Sequence, residues 1–164
     1  EKGPGYWVEA GHRVLELTKN VRFVMAGSGD MMNKMSHLAA TRNIADKFHF
    51  TGFLRGKQVT EMLAQSDVYI MPSVSEPFGI SPLEAMQVGT PTIVSKQSGC
   101  AEILNNAIKI DYWDIDAMAD AIYSIVKYPA MYKSLREGGR NEVDRITWEA
   151  AGLKVRAIYD KILG

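Results

Sequence analysis

Short apolar segments alternate with segments of helical periodicity along most of this chain, and that alternation restricts the possible folds more than any other feature. The segments with the length and apolar content of buried strands are 21–27, 47–51, 67–73, 92–95 and 107–110. Stretches with apolar residues at helical spacing separate them, and further helices are expected to begin near Asp114, Pro129 and Thr147. Strands that alternate with helices pair in parallel, with helices covering both faces of the sheet. The sequence therefore predicts an α/β fold, a doubly wound parallel sheet of the Rossmann-like kind.

Glycine positions set the expected helix ends. A helix over residues 81–88 is expected to end at Gly89, because glycine adopts the left-handed conformation that closes many helices. The helix that begins at Pro129 is expected to be interrupted or to end near Gly138 and Gly139, since glycine is a poor helix former.

Composition indicates a single domain, residues 1–164, with no general affinity for a charged partner. Nineteen basic and nineteen acidic residues cancel, so neither a nucleic acid nor a membrane surface is an expected partner. The one cysteine, Cys100, excludes an internal disulfide and favours a reducing, cytoplasmic location. The three histidines lack metal-ligand spacing, so no metal site is expected. No apolar run reaches the ~20 residues of a transmembrane helix.

Loops with distinctive residues follow three of the predicted strands. They contain Gly27 and Gly29, residues 52–54, and residues 75–81. In parallel sheets of this kind, ligands bind at the carboxyl ends of the strands, where loops lead into helices. The sequence therefore predicts a binding site at this edge of the sheet.

The stretch SEPFGISPLEAM, residues 75–86, places two carboxylates at that edge. Ser81 and Glu84 have the spacing of a capping box, so Glu84 could simply bond back to the Ser81 amide. The same helix start could instead present N–H groups to a phosphate. Glu76 directly follows a buried strand, where it serves either a substrate hydroxyl or the turn itself. Gly79 would let a ligand approach the backbone closely.

The motifs EPFGI at 76–80, LEAM at 83–86 and GTP at 89–91 resemble the signature of a known family. This family is the retaining glycosyltransferases of family four, also called group one, which are related to glycogen synthase. Its members consist of two facing Rossmann-like domains, the GT-B architecture. VRFVMAGSG resembles the family's second strand and glycine turn, and the segment from FHFTG to YIMPS resembles its base-binding loop and following strand. The resemblance covers essentially the entire chain and implies a donor-binding domain.

The resemblance also implies a role for each matching residue. Glu84 would bond the ribose hydroxyls of a nucleoside-diphosphate sugar, and Glu76 would be the catalytic group in the limited sense of a donor-site acid. Lys2 would neutralise the leaving diphosphate. The other donor-binding positions would be Gly27 and Gly29 beside the nucleotide, Phe53 and Leu54 at the base, and the amides of Phe78, Gly79, Ile80 and Ser81 at the sugar and diphosphate. The donor is a substrate rather than a cofactor, and the choice among UDP, GDP and ADP stays open.

Two parts of the family architecture have no counterpart in the sequence. The family's strand ahead of Lys2, with its arginine, lies outside the chain, and in the strand order 3-2-1-4-5-6 that strand is central. The N-terminal acceptor-binding domain is also absent. The expectation is therefore the C-terminal half of a longer hexosyltransferase that acts on a glycan or glycolipid acceptor, with little activity in this fragment alone.

Two other functions stay open at this point. A non-catalytic nucleotide-binding module would need Glu84 for ribose but would have little use for Glu76. A nucleotide-sugar epimerase or a phosphorylase-like enzyme could use a related scaffold, but the sequence offers no lysine in a convincing context for pyridoxal phosphate.

Overall fold

The computed structural model describes residues 1–163 and is built from short strands and helices in alternation. The strands are β1 (Phe23–Ala26), β2 (Phe48–Gly52), β3 (Tyr69–Met71), β4 (Thr92–Ser95) and β5 (Ile108–Ile110). The helices are α1 (Pro4–Leu17), α2 (Met32–Thr41), α3 (Lys57–Ala64), α4 (Ser81–Gln87), α5 (Cys100–Ile103), α6 (Ile115–Lys127), α7 (Pro129–Val143) and α8 (Trp148–Leu163). A short 3-10 turn, Ala45–Lys47, precedes β2. The predicted α/β class is confirmed.

The strands form two parallel sheets that lie edge to edge, with a gap between β1 and β3. β1 pairs with β2, with Phe23 opposite Phe48. β4 lies between β3 and β5, with Ile93 opposite Ile70 on one side and Ile108 on the other. Every strand pair is parallel, as the alternation of elements predicts. Read across the molecule, the order is β2-β1, the gap, and β3-β4-β5.

One apolar core joins the two sheets on a single face. It contains Phe23 and Phe48 from the first sheet and Ile93 and Ile110 from the second, together with buried residues of α1, α2 and α6. The Phe23 and Phe48 rings stack with centroids 4.7 Å apart. Gly11 of α1 lies over them, and a Cβ added there would come within 2.6 Å of the Phe48 ring. The absence of a side chain at this position lets α1 pack closely on the first sheet.

A second core covers the other face of the three-stranded sheet. Its buried residues include Met71, Met86, Val94, Leu104 and Val143, contributed by the strands, α4, α7 and the segment after α5. The two faces of this sheet are thus covered by different helices, which is the doubly wound arrangement. β4 is central in this sheet and is buried along its whole length.

Helix α7 differs from the expectation based on its glycines, because it runs without interruption from Pro129 to Val143. Gly139 lies against Met86 of α4, where an added Cβ would be 3.2 Å from the Met86 Cε. Gly138 lies against the side chain of Asn106 in the same way. The glycines allow α7 to approach its neighbours, and this packing outweighs their low helix propensity.

The helix starts at Asp114 and Thr147 are capped as predicted. The Ala117 N–H donates to Asp114 Oδ1 at 2.9 Å, and the Ala150 N–H donates to Thr147 Oγ1 at 3.1 Å. The helix that Thr147 opens, α8, has no buried residue, and Trp148 at its start is 88% exposed. Among the described residues, none of the helices combines the length and apolar character needed to cross a bilayer.

Candidate donor-binding site

A large cavity of about 1440 Å³ occupies the gap between the two sheets, and its lining extends from the residues ahead of β1 and β3 to the loops that follow these strands. The predicted site residues that line it are Lys2, Gly27, Gly29, Phe53, Glu76 and Ser81. The others, Leu54, Phe78, Gly79, Ile80 and Glu84, are not part of its lining. The structure therefore brings together residues that lie far apart in the sequence, from the chain start to the acidic motif.

Lys2 and Glu76 form an ion pair at the mouth of this cavity. The Lys2 Nζ donates to Glu76 Oε2. The Glu76 side chain is 14% exposed, whereas that of Lys2 is 68% exposed. The chain start is held beside the motif by a second bond, in which the Val74 N–H donates to the Glu1 carbonyl at 2.7 Å. The Glu76 carboxylate is thus mostly buried, whereas the Lys2 ammonium that pairs with it is exposed to solvent.

The backbone around Glu76 is fixed by the loop between β4 and α5. The Gly99 N–H donates to the Glu76 carbonyl at 2.9 Å, and the Cys100 N–H donates to the Phe78 carbonyl at 2.7 Å. A Cβ added at Gly99 would overlap the Pro77 carbonyl oxygen. This close approach explains the glycine, and the two bonds set the position from which the Glu76 side chain reaches the cavity.

Buried serine hydroxyls support this arrangement from below. Ser95 Oγ donates to the Ser73 carbonyl at 2.6 Å, and Ser98 Oγ donates to the Ser95 carbonyl at 2.6 Å. The first bond connects the carboxyl ends of β3 and β4, and the second closes the turn that follows β4. Sequence reasoning missed this role of Ser95, Ser98 and Gly99. The only signal was the unusual polar run that follows the apolar residues of β4.

The capping box considered for α4 is not formed, and this leaves Glu84 available. The residue that precedes α4, Ile80, makes no side-chain cap, and Ser81 Oγ instead accepts a hydrogen bond from the Tyr69 hydroxyl at 2.7 Å. Glu84 is exposed, and within residues 1–163 its carboxylate makes no hydrogen bond or ion pair. Glu84 therefore does not bond back to the start of α4 in this structure.

Tyr69, which sequence reasoning also missed, contacts the start of α4 through its hydrogen bond to Ser81. Burial raises the pKa of the Tyr69 hydroxyl to about 12, against an opposing effect of its bond to Ser81. The negative charges of Glu84 and Glu76 both raise that pKa further.

The glycines of the site have different roles. Gly27, with a φ of 131°, and Gly29 face open space, since nothing lies within 4 Å of a Cβ added at either position. They leave room at the carboxyl end of β1. Gly79, with a φ of 91°, is buried against Met71, whose Cε would be 2.7 Å from an added Cβ. Tight packing and backbone conformation already account for Gly79.

Phe53 presents a large, exposed aromatic surface to the mouth of the cavity. Its side chain is 65% exposed, and the Arg55 guanidinium lies 5.4 Å from the ring centroid. An exposed ring next to a cation at the end of a strand is able to stack on a flat, electron-rich group. Within the described part of the chain, no three His, Cys, Asp or Glu residues are grouped as a metal ion would require.

Comparison with known proteins matches this chain to the family described as glycosyl transferases group 1, over residues 1–142. The chain is 39% identical over 108 residues to an uncharacterized glycosyltransferase of Methanocaldococcus jannaschii, covering 66% of this chain and 27% of that protein. It is 30% identical over 146 residues to the 2-deoxystreptamine N-acetyl-D-glucosaminyltransferase of Niallia circulans, covering 87% of this chain and 38% of that protein. Among solved structures, Anabaena HepE in complex with UDP and glucose superposes with a TM-score of 0.85 at 16% identity, covering 98% of this chain and 45% of that one. The chain thus spans less than half the length of each of these proteins.

Proposed function

This chain belongs to the glycosyl transferases group 1 family, and on that premise we propose that it is the donor-binding half of a retaining hexosyltransferase. The full protein would move a hexosyl group from a nucleoside-diphosphate sugar to a glycan or glycolipid acceptor. The acceptor would bind to an N-terminal domain, and this fragment alone would transfer sugar hardly at all. The Niallia circulans relative, named for transfer of an N-acetyl-D-glucosaminyl group, supports the choice of a hexosyl donor.

The observation that carries the proposal is the Lys2–Glu76 ion pair on the donor-side cavity, with Glu84 exposed eight residues further along the chain. A nucleoside-diphosphate sugar presents hydroxyls at its ribose, negative charge at its diphosphate and hydroxyls at its sugar. Carboxylates are strong acceptors for hydroxyl groups, and an ammonium is a strong partner for a phosphate. The chain offers two acids with one cation, the complement of that ligand.

In the proposed reaction, the bond between the anomeric carbon and the diphosphate oxygen breaks, and its electron pair stays on that oxygen. A bond from an acceptor hydroxyl oxygen to the anomeric carbon replaces it with retention of configuration, and the hydroxyl proton passes to the departing diphosphate. Lys2 would stabilise the negative charge that develops on the diphosphate. Because Lys2 is paired with Glu76 in the structure, it would exchange that partner, wholly or in part, for the diphosphate. Glu76 would then accept a hydrogen bond from a hydroxyl of the sugar and hold the ring near its leaving group. Glu84 would accept from the ribose.

The remaining predicted residues have supporting roles in the proposal. Phe53 would stack on the base, and Leu54 would contact it from the same loop. Gly27 and Gly29 would provide the open space that the nucleotide needs. The amides of Phe78, Gly79, Ile80 and Ser81 donate to no acceptor within residues 1–163, and they would serve the sugar and diphosphate oxygens. The exposed apolar side of α8 would contact the acceptor-binding domain.

Calorimetry with UDP, GDP and ADP tests the proposal directly. One of these nucleotides should bind to the wild-type chain, and Glu84→Ala should weaken its binding at least tenfold, because hydrogen bonds to charged groups contribute ~1.5–3 kcal/mol. Glu137→Ala is the matched control. Glu137 is an exposed helical glutamate whose only ion pair, within residues 1–163, joins it to Lys133 on the same helix. Absence of binding by all three nucleotides, or equal effects of the two substitutions, would contradict the proposal.

The relatives do not favour a non-catalytic nucleotide-binding module, and a second calorimetric comparison, with the nucleotide sugar, separates it from a transferase. A binding module has no use for a donor-site acid. In such a module, Glu76→Gln would change the affinity for the free nucleotide and the affinity for the nucleotide sugar by the same factor. A transferase donor site predicts that Glu76→Gln weakens the sugar conjugate more than the free nucleoside diphosphate.

A further inference from the structure

A row of three aromatic rings connects α1 with the loop that follows β5. The Tyr6 ring of α1 lies beside Gly3, where an added Cβ would be 3.4 Å from the Tyr6 Cδ2. Tyr6 contacts Tyr112 edge to face, with ring centroids 5.2 Å apart, and Tyr112 contacts Trp113 in the same way at 4.8 Å. Because Gly3 directly follows Lys2, the row begins next to the candidate donor site and ends at Trp113.

Trp113 keeps part of its indole surface open to solvent. It is 55% exposed, and an edge-to-face contact with Tyr112 covers at most one face of the indole. The loop that carries it is fixed by two backbone bonds. The Asp114 N–H donates to the Asp111 carbonyl at 3.0 Å, and the Ile115 N–H donates to the Trp113 carbonyl at 3.1 Å. A ligand that stacks on this indole would therefore have little backbone to order on binding.

Polar groups of opposite charge accompany the indole. Asp111, two residues ahead of Trp113, accepts hydrogen bonds from Lys96 Nζ at 2.8 Å and from Gln97 Nε2 at 3.0 Å. These bonds lower the pKa of the Asp111 carboxyl, and the bond from Lys96 has the larger effect. The Asp111 side chain is 28% exposed and that of Lys96 is 54% exposed. The loop therefore offers a ligand both an ionised carboxylate and an ammonium group.

This polar group adjoins the loop that holds Glu76, but it lies outside the donor cavity. Lys96 directly follows β4, and Ser98, two residues further on, forms an isolated parallel bridge with Glu76. Among the described residues that line the large cavity, neither Trp113, Asp111 nor Lys96 is included. The indole and its polar neighbours are thus a separate surface at the same edge of the sheet as the donor site.

A hexose ring has the chemistry that this surface complements. The C–H groups on one side of the ring form an apolar face with partial positive charge, which suits the negative face of an aromatic ring. The hydroxyls around the ring both donate and accept, so they can bond to a carboxylate and to an ammonium. A protein partner fits less well, because Lys and Asp are depleted from the cores of protein interfaces.

We propose that Trp113, Asp111 and Lys96 form a subsite for one hexose unit of the glycan acceptor, beside the donor site. The indole would stack on the ring of that unit. Asp111 would accept hydrogen bonds from its hydroxyls, and Lys96 would donate to them. The choice of ligand rests on the proposed function, and the subsite would act in addition to the acceptor-binding domain.

The test is an NMR titration of the isotope-labelled chain with three trisaccharides, made of α-linked glucose, α-linked mannose and β-linked N-acetylglucosamine. The chain has three tryptophans, Trp7, Trp113 and Trp148, and each indole N–H gives its own resonance. Sorbitol, a polyol without a ring, is the control ligand. No nucleotide is present, so the outcome is separate from that of the donor-binding test.

Two variants and a matched control locate the binding. Trp113→Ala removes the stacking surface, and Asp111→Ala removes the carboxylate. The control is Trp148→Ala, because Trp148 is 88% exposed at the start of α8 and lies outside the proposed subsite. Thermal unfolding confirms that each variant is folded. The Trp113 side chain is mostly exposed, so its removal tests the subsite even if Asp111→Ala destabilises the chain.

At least one trisaccharide should shift the Trp113 indole resonance saturably, with a dissociation constant of about 1–10 mM, and sorbitol should not. Asp111→Ala should weaken this binding at least about tenfold, because it removes hydrogen bonds to a charged group. Trp113→Ala should abolish the accompanying shifts of the backbone amides of residues 111–114, and Trp148→Ala should leave the affinity unchanged. The absence of a saturable shift with all three trisaccharides, an equal response to sorbitol, or unchanged binding in Trp113→Ala would overturn the proposal.

Discussion

Removing the ammonium of Lys2 tests whether the chain start and the acidic motif are energetically coupled. The perturbation is Lys2→Met, which keeps most of the aliphatic stem and removes the charge. In the structure, Lys2 pairs with Glu76. The substitution therefore leaves a mostly buried carboxylate without its cation.

The exposure of the two side chains sets the expected magnitude. Ion pairs that are fully exposed contribute ~0.2–1 kcal/mol, whereas removal of one partner from a buried pair costs ~3–5 kcal/mol. Glu76 is 14% exposed and Lys2 is 68% exposed, so this pair lies between the two limits and nearer to the first. We expect Lys2→Met to lower the free energy of unfolding by ~1–2 kcal/mol, or the unfolding midpoint by roughly 2–8 °C.

A double-mutant cycle in urea measures this coupling. In a Glu76→Gln background, Lys2→Met should cost almost nothing, because no buried charge remains to be neutralised. Lys57→Met is the matched control, since Lys57 pairs with Glu61 on an exposed face of α3 at 3.1 Å and should contribute only ~0.3–0.5 kcal/mol. The reasoning fails if Lys2→Met costs no more than Lys57→Met, or if Glu76→Gln leaves the cost of Lys2→Met unchanged.

Two further predictions concern the support of the site. Because the folded state holds the pKa of Tyr69 near 12, the unfolded state loses the phenolic proton first between pH 10 and 12. Below pH 10, Tyr69 therefore does not change the free energy of unfolding with pH. As the pH rises from 10 to 12, the free energy of unfolding should fall by ~2 kcal/mol. Urea unfolding at a series of pH values should show this fall in the wild-type chain and a smaller one in Tyr69→Phe; identical profiles would rule out the explanation. In the second prediction, Gly99→Ala forces a Cβ onto the Pro77 carbonyl and should lower the free energy of unfolding by ~1–3 kcal/mol while weakening nucleotide binding. Gly152→Ala, on exposed α8 with nothing within 4 Å of the added Cβ, should leave binding unchanged and be neutral or slightly stabilising. The account of Gly99 is wrong if both substitutions have the same effect on thermal unfolding and on calorimetric affinity.

Local patterns were sufficient to predict most elements of this fold. Strand and helix positions follow from short apolar runs and from helical periodicity, and the caps at Asp114 and Thr147 follow from residue type alone. The parallel arrangement follows from the alternation of the elements. These features depend on neighbours in the sequence, which is why they can be inferred without knowing which segments meet in space.

Features that depend on distant contacts were predicted less well. α7 continues through Gly138 and Gly139 because those residues pack against Asn106 and Met86, and no local pattern shows this. The capping box considered at Ser81 is absent because Ile80 occupies the N-cap position of α4, and the Ser81 hydroxyl instead accepts a hydrogen bond from Tyr69.

The candidate site shows the same division between local and distant signals. Glu76, Glu84 and the glycines stand out as a motif, and the fold brings Glu76, Lys2 and Gly27 to one cavity. The backbone bond from Gly99 joins loops that follow different strands, so the sequence alone gave no reason to select it. The roles assigned to these residues stay predictions until binding is measured.

The contact between Glu84 and ribose is the most direct test of the central claim. The measurement is the affinity of the preferred nucleoside diphosphate and of its 2′,3′-dideoxy form, each for the wild-type chain and for Glu84→Ala. The account predicts that removing the hydroxyls weakens binding at least about tenfold in the wild type and has almost no effect in Glu84→Ala. An equal loss of affinity in both proteins would show that the ribose binds elsewhere and would contradict the account.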